Sequence, residues 1–243
     1  YDQTRADFDF DRQSSNLGAT RRNSSGLIEK GRENLLLQSN NFGTTWTTSA
    51  ASVTSGQADK DGGTEAWRLQ DTAATSEHWI RQTPSQSGLV TLSVYAKANT
   101  LDFIWLRGVT SGSNVRAWFN LSTGTLGSTT SGVIDSAIEA VGTDGWYRCS
   151  MTLNHQSGFE YYIAISNADN ATSYAGDGAG SVFIMNSQLE IGLAATDYID
   201  SGATTGKAGI LADMPRINYD ANGENGSLLL EGLRSNVITQ SEY

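Results

Sequence analysis

The sequence has few of the residues that form disulfide bonds or bind metal ions. Among its 243 residues there are one cysteine (Cys149), two histidines (His78 and His155) and two prolines. A single cysteine excludes an intrachain disulfide and a cysteine-rich metal site, and two histidines leave little for a histidine-based zinc site. No stretch approaches the roughly 20 consecutive apolar residues of a membrane-spanning helix. We therefore expect no metal ligands of these types and no membrane insertion.

Positive charge is also scarce. There are 16 lysines and arginines against 26 aspartates and glutamates, and the formal net charge is −10. Phosphate contacts need clustered lysine and arginine, so this balance argues against a nucleic-acid partner. No phosphate loop, dinucleotide fingerprint or spaced carboxylate pair occurs, and neither histidine lies in a nucleophile context. We expect no catalytic residues and no enzyme activity.

Short segments with alternating apolar and polar residues are abundant, and turn-forming glycine, serine and asparagine separate them. The segments are Leu89–Lys97, Phe103–Arg107, Arg116–Leu121, Trp146–Leu153, Phe159–Ser166 and Val182–Leu189. No helical period is sustained anywhere in the chain. Strands at this density predict an all-β chain folded as a two-sheet antiparallel β-sandwich.

One internal repeat is clear. The segments 29–39 and 231–241 share the pattern E-x-x-R-x-N, two apolar residues, x, Q and S, without a gap and 202 residues apart. The pattern divides the chain into an N-terminal connecting arm (1–33), the sandwich (34–205) and a C-terminal arm (206–243). We interpret the second copy as the start of a further module or as a strand that docks on a neighbouring subunit.

Strand parity assigns the two faces of each predicted strand. One parity is apolar and is assigned to the core, and in the last strand it includes Phe183, Met185 and Leu189. The other parity carries aromatic, arginine and amide side chains, a mixture that recognises sugars through ring stacking and paired hydrogen bonds. The same mixture also suits a subunit interface or plain sheet packing. The candidate ligand-binding residues, expected to share one face, are Trp105, Arg107, Trp118, Tyr162 and Gln188.

An ordered series of sequence strings resembles a known family. The strings are Asn34–Phe42, Thr91–Lys97, Ala117–Gly124, Gly145–Ser150, Gln188–Gly192 and Ala195–Ile199. Over about residues 34–200 they are similar to the carbohydrate-binding-module-like jelly rolls of tailed-phage structural and tail-fibre proteins. The resemblance implies a jelly-roll sandwich in a non-catalytic virion protein of the tail or tail fibre. It also implies a place at the virion surface, outside the cell, where the protein would bind host-surface polysaccharide beside other virion chains. The alternative is a purely structural assembly or capsid decoration module with no sugar binding.

Acidic loops leave one cofactor alternative open. We expect no cofactor, but Asp59–Glu65, and Asp169–Asn170 with Asp177, offer hard oxygen ligands of the kind that hold a structural calcium ion. Aspartate, asparagine and glycine are also ordinary turn formers, so the same segments suit metal-free loops.

The repeat predicts an oligomer. The second copy carries apolar residues that need burial, namely Leu229, Leu230, Val237 and Ile238. Exposing side chains of this size forfeits roughly 1.5–3 kcal/mol each, so we expect them to lie in an interface of a homo-oligomer. Light scattering on the full chain and on a variant lacking residues 206–243 tests this. Dissociation on deletion is the expected result, and a monomer of unchanged stability would contradict it.

Overall fold

The computed structural model describes residues 20–22, 28–208, 217–218, 220–222 and 224–228. The predicted interface residues Leu229, Leu230, Val237 and Ile238 lie outside the described residues. Among the described residues, no helix is long and apolar enough to cross a membrane. The chain divides into Glu33–Lys207, which contains the sandwich, and the segments on either side of it.

Two six-stranded antiparallel sheets form the sandwich, which confirms the predicted all-β, two-sheet fold. In spatial order, the first sheet contains β12 (Thr125–Thr129), β11 (Ser113–Asn120), β10 (Phe103–Thr110), β15 (Tyr161–Ser166), β8 (His78–Gln82) and β4 (Thr47–Ser49). The second sheet contains β13 (Val133–Val141), β14 (Trp146–His155), β9 (Gly88–Ala98), β17 (Ser181–Ile191), β6 (Ala66–Asp71) and β5 (Ala51–Gln57).

Short strand pairs complete the described structure. Beside the two large sheets, β7 (Thr75–Ser76) pairs with β16 (Tyr174–Ala175), and β3 (Arg32–Asn34) pairs with β18 (Gly206–Ala208). In the flanking segments, β1 (Thr20–Arg22) pairs with β2 (Ile28–Lys30), and β19 (Ile217–Asn218) pairs with β20 (Ser227–Leu228).

The main core lies between the two sheets. The first sheet contributes residues such as Ile104 and Phe119, and the second contributes residues such as Val94 and Met151, all fully buried. These residues follow the period-two alternation of their strands, because successive side chains point to opposite faces of a sheet. The apolar parity of the sequence therefore locates most of the core.

Strand β17 is the exception, and the predicted core positions Phe183 and Met185 are wrong. Its register shifts between Met185 and Gln188, where Asn186 has a left-handed φ of 51°. Val182 and Ile184 point into the core before this bulge and Leu189 does so after it, whereas Phe183 and Met185 pack on the outer face of the second sheet. One extra residue reverses the side-chain parity of all that follows.

Asn34 ties the start of the sandwich to the bulged strand. Its Nδ2 donates to the carbonyls of Ser187 (3.0 Å) and Ile199 (2.8 Å), and its Oδ1 accepts from the backbone N–H groups of Leu36 (3.2 Å) and Leu189 (3.1 Å). The side chain is 0% exposed. Both donors and both acceptor positions of the carboxamide are thus used, and three chain segments meet on one side chain.

Replacing Asn34 should destabilise the whole sandwich. The change Asn34→Ala leaves two buried N–H groups and two buried carbonyls without partners, and we expect a loss of roughly 2–4 kcal/mol in the free energy of unfolding. Urea unfolding followed by circular dichroism measures it. Asn114→Ala, at an exposed position of β11, is the control and should change stability by less than about 0.5 kcal/mol. Equal stability of the two variants would contradict the role of Asn34.

Candidate functional site

Four of the five predicted ligand-binding residues share one face. Trp105 lies opposite Trp118 on β10 and β11, and Arg107 lies opposite Tyr162 on β10 and β15. All four are on the outer face of the first sheet, away from the core between the sheets. Trp105, Trp118, Tyr162 and Ala164 form a separate apolar cluster there, with Trp79 of β8 packed against it.

A loop packs against Trp118 on this face, and Trp105 is buried beside Trp118. Trp105 is 0% and Trp118 is 1% exposed. The Trp118 Nε1 donates to the carbonyl of Ala171 (3.0 Å), and the Asp169 carboxylate accepts from both the N–H and the hydroxyl of Ser128 on β12. The segment that follows β15 thus crosses β11 and is fastened to the edge strand. Neither indole offers a free ring face to a ligand, which strand parity alone does not reveal.

Gln188 does not belong to this face, and its predicted grouping with the other four residues is wrong. It lies on β17 of the second sheet and is fully buried. Its Oε1 accepts from the N–H of Ile199 (2.7 Å), and its Nε2 donates to Glu190 and to the carbonyls of Thr196 and Asp197. Gln188 therefore holds residues 193–202, which we call the closing strap, across the outer side of the second sheet.

A cleft of about 660 Å³ lies where the first turn of the sandwich, the β5–β6 hairpin and the closing strap meet. Its lining residues are Gln38, Asn40, Asn41, Ser55, Gly56, Thr64, Glu65, Trp67, Asn186, Tyr198, Asp200, Ser201 and Gly202. The sequence patterns single out none of these residues as sugar-binding candidates. They are brought together from four separate parts of the chain, so no local sequence pattern marks the site.

Unusual backbone conformations shape this cleft. Gln38 and Asn186 both have left-handed φ angles, of 50° and 51°, although neither is glycine. Asn40 holds the two segments together, since its Oδ1 accepts from the N–H of Asn186 (2.9 Å) and its Nδ2 donates to the carbonyl of Glu65 (3.3 Å). Non-glycine residues in this region of φ/ψ space are uncommon and concentrate at functional sites. Two of the seven non-glycine residues with a positive φ among the described residues thus line this cleft.

Free polar side chains surround one aromatic ring in the cleft. The half-buried Trp67 packs its ring edge-on against Phe42, with centroids 6.1 Å apart. Within the described part of the chain, six lining side chains make no hydrogen bond: Gln38, Asn41, Ser55, Thr64, Glu65 and Asn186. The cleft therefore presents, beside an apolar ring, donors and acceptors that have no partner within the described chain.

The cleft carries negative charge. Glu65 and Asp200 line it, whereas no lysine or arginine is among the lining residues. The Tyr198 hydroxyl is 2.9 Å from Asp200 Oδ1 and 2.6 Å from the Ser39 hydroxyl oxygen. Burial is the main cause that raises the pKa of Tyr198 above its ordinary value, so this phenol stays protonated and donates to the carboxylate at neutral pH.

The two histidines and the cysteine are buried, and both histidines lie within hydrogen-bonding distance of backbone groups. His78 has its ring nitrogens near the carbonyls of Ala50 and Tyr174, and His155 Nδ1 accepts from the N–H of Val109. Burial lowers the pKa of His155 and raises the pKa of the Cys149 thiol, which disfavours the imidazolium and the thiolate. Groups in this state are poor nucleophiles and bases.

The acidic loops are closed by their own backbone. Asp59 accepts hydrogen bonds from the N–H groups of Asp61, Gly63 and Glu65, and Asp177 accepts from those of Ala179 and Gly180. Over the ranges the structure describes, no three His, Cys, Asp or Glu side chains are grouped so as to hold a metal ion. The carboxylates of these loops act as turn formers here.

The burial of Trp118 determines what its removal should do. We expect Trp118→Ala to reduce the free energy of unfolding by about 3–5 kcal/mol, as large-to-small changes at buried tryptophans do. Trp79→Ala, on the same face but half-buried, should cost clearly less. Chemical unfolding of the two variants tests the comparison. A Trp118→Ala protein of near wild-type stability would show that the covering loop contributes little.

No family model and no curated protein matches the sequence. Several solved structures are distantly similar, and three of them each share 13% sequence identity with this chain. TmCBM61 in complex with β-1,4-galactotriose has a TM-score of 0.37, with 64% of this chain and 97% of that chain covered. The enzymatically active domain of tailspike protein 4 from bacteriophage CBA120 has a TM-score of 0.34, with 64% and 21% covered. A candidate sugar-binding protein from Bacteroides thetaiotaomicron has a TM-score of 0.35, with 65% and 100% covered. At this distance none of them assigns a ligand to this chain.

Proposed function

We propose that the chain is a non-catalytic glycan-binding module and that the cleft over the β17 bulge is its sugar site. The observation that carries the proposal is the set of unpaired polar side chains around Trp67. Ligand sites are generally concave and combine apolar contact with a few oriented polar groups. A cleft this rich in amide, hydroxyl and carboxylate groups suits a ligand that is itself covered with hydroxyls.

The lining groups match the two surfaces of a pyranose. The ring of Trp67 offers an apolar surface to the C–H face of a sugar, and the amides of Gln38, Asn41 and Asn186 each carry both donors and acceptors for its hydroxyls. The left-handed conformations of Gln38 and Asn186 fix the direction in which each side chain leaves the backbone before a ligand arrives. Preorganised groups of this kind lose less entropy on binding.

The charge of the cleft favours a neutral sugar. The Glu65 and Asp200 carboxylates accept hydrogen bonds from hydroxyls, and they repel a uronic acid or sulfated sugar because no lysine or arginine lines the cleft. Host-surface polysaccharide built from neutral sugars is therefore the proposed partner. A single site of this kind binds weakly, and display in many copies raises its effective strength.

The virion setting rests on the sequence resemblance alone. On that basis we propose that the module belongs to a tail or tail fibre, lies at the virion surface and assembles as a homo-oligomer with other virion chains. The second candidate function is a purely structural module. It is favoured by one observation, namely that Trp105 and Trp118, two of the predicted sugar-binding residues, are buried within the chain and serve packing.

The sugar site is tested by exposed polar positions of the cleft. A glycan array identifies the bound sugar, and titration calorimetry then compares Asn41→Ala and Glu65→Gln with the wild type. We expect each variant to lose roughly tenfold in affinity, the cost of one or two hydrogen bonds, with unchanged unfolding. Glu139→Gln is the charge-matched control. Glu139 is exposed on β13, at the edge of the second sheet opposite to β5, and this variant should bind as the wild type does.

Three outcomes contradict the proposal. Unchanged affinity in both cleft variants would place the sugar elsewhere, and the absence of any glycan ligand would favour the structural alternative. Because Glu65 and Asp200 are two carboxylates in one cleft, the bound polysaccharide should also be assayed for released reducing ends. Release that disappears in Glu65→Gln or Asp200→Asn would make the protein a glycosidase.

A further inference from the structure

Three arginines lie in one row on the outer face of the first sheet. The strand register places Arg116 opposite Arg107, Arg107 opposite Tyr162, and Tyr162 opposite Arg81. We call these four residues the arginine row. It belongs to a different sheet from the β17 bulge, and none of its members lines the cleft.

Acidic side chains compensate the two outer arginines of the row. Arg81 Nη1 is 2.5 Å from Glu160 Oε1, and Arg116 Nη2 is 3.6 Å from Glu77 Oε1. The middle arginine, Arg107, has no ion pair and donates no hydrogen bond to any residue that the structure describes. The three positive charges of the row are therefore balanced by only two carboxylates, those of Glu160 and Glu77. The charge without a counterion is that of the middle arginine, Arg107.

Arg107 is held in place by stacking. The centre of its guanidinium lies 4.1 Å from the centroid of the Tyr162 ring, and its Nε is buried without a partner. Stacking fixes the plane of the guanidinium, so its donors are oriented before any ligand binds. The two Nη groups are the atoms left to meet an acceptor.

This arrangement is unfavourable without a ligand. Like charges directly opposite each other on neighbouring strands destabilise a sheet, and Arg107 and Arg116 form such a pair. Burial is the main cause that lowers the pKa of Arg116, and the charge of Arg107 lowers it further against the opposing effect of Glu77. A bound anion between the two arginines would relieve the repulsion.

We propose that Arg107 binds a single carboxylate or sulfate group carried by an acidic sugar. A guanidinium donates two parallel hydrogen bonds to such a group. One uncompensated charge suits one anionic group and not the several phosphates of a nucleic acid. The half-buried Trp79, which stacks with Arg81 at 5.0 Å on the same face, adds a ring beside the site for the sugar that carries the anion.

Three polymers with one backbone test the proposal: dextran, dextran sulfate and carboxymethyl dextran. Affinity gel electrophoresis of the full chain measures the dissociation constant for each. We expect one or both charged polymers to bind more tightly than dextran, although the chain has a net charge of −10. The two charged polymers distinguish a sulfate from a carboxylate ligand. Arg107→Gln should reduce the affinity for the preferred polymer about tenfold or more, as loss of a charged hydrogen-bonding partner does.

Controls separate this site from general charge effects. Arg68→Gln removes an arginine of the same burial class from the outer face of the second sheet, and it should leave the affinity within about twofold. Arg107→Lys keeps the charge but loses the planar stacked group, and it should bind more weakly than the wild type. If Arg107→Gln fails to fold, the affinity of Arg107→Lys tests the proposal in its place. Equal affinity for charged polymers and dextran, or equal losses in Arg68→Gln and Arg107→Gln, would overturn the proposal.

The proposal of a sugar site in the cleft and the proposal of an anion site at Arg107 can be refuted independently of each other. Glu65→Gln should leave binding of the charged polymers unchanged, because Glu65 lines the cleft and lies outside the arginine row.

Discussion

The carboxamide of Asn34 is the interaction on which the arrangement of this sandwich depends. It is buried where the entry segment, the bulged strand β17 and the closing strap meet, and it binds all three through the backbone. A side chain that satisfies four buried backbone groups fixes the register of each segment, since a slip by one residue would leave several of them unpaired. The cleft is a direct result, because its walls are the continuations of these same segments: Gln38 and Asn40 after the entry segment, Asn186 in the bulge, and Tyr198 and Asp200 in the strap.

The sheet faces show how a protein can use similar residues for opposite purposes. On the outer face of the first sheet, Trp118 is covered by the loop that Asp169 fastens to Ser128, and it contributes packing. In the cleft, a single tryptophan is accompanied by side chains whose hydrogen-bonding groups remain free. What separates the two cases is not the type of aromatic residue but its burial, since Trp118 is 1% exposed and pairs its Nε1 with Ala171, whereas Trp67 is half-buried and lines an open cleft.

Period-two alternation predicts the fold class and most of the buried core, because burial of one sheet face imposes that pattern directly on the sequence. It cannot predict four other features. Parity does not say which sheet a strand joins, so it groups Gln188 with residues of the other sheet. Parity also fails across a bulge, which is why it assigns Phe183 and Met185 to the wrong face. Edge strands such as β5 and β13 lack a clear apolar face and leave no such pattern. The cleft, finally, depends on side chains from four distant segments, so no local pattern predicts it.

The single cysteine has a consequence for how the protein can be observed. Cys149 lies at the centre of the core between the sheets, and its thiol is fully buried. A reagent in solution reaches such a sulfur only when β14 separates from its neighbours, so the rate of its chemical labelling reports how often the interior opens. The sequence thus contains its own probe of spontaneous opening. No cysteine has to be engineered into the packed core, where a substitution would disturb the packing.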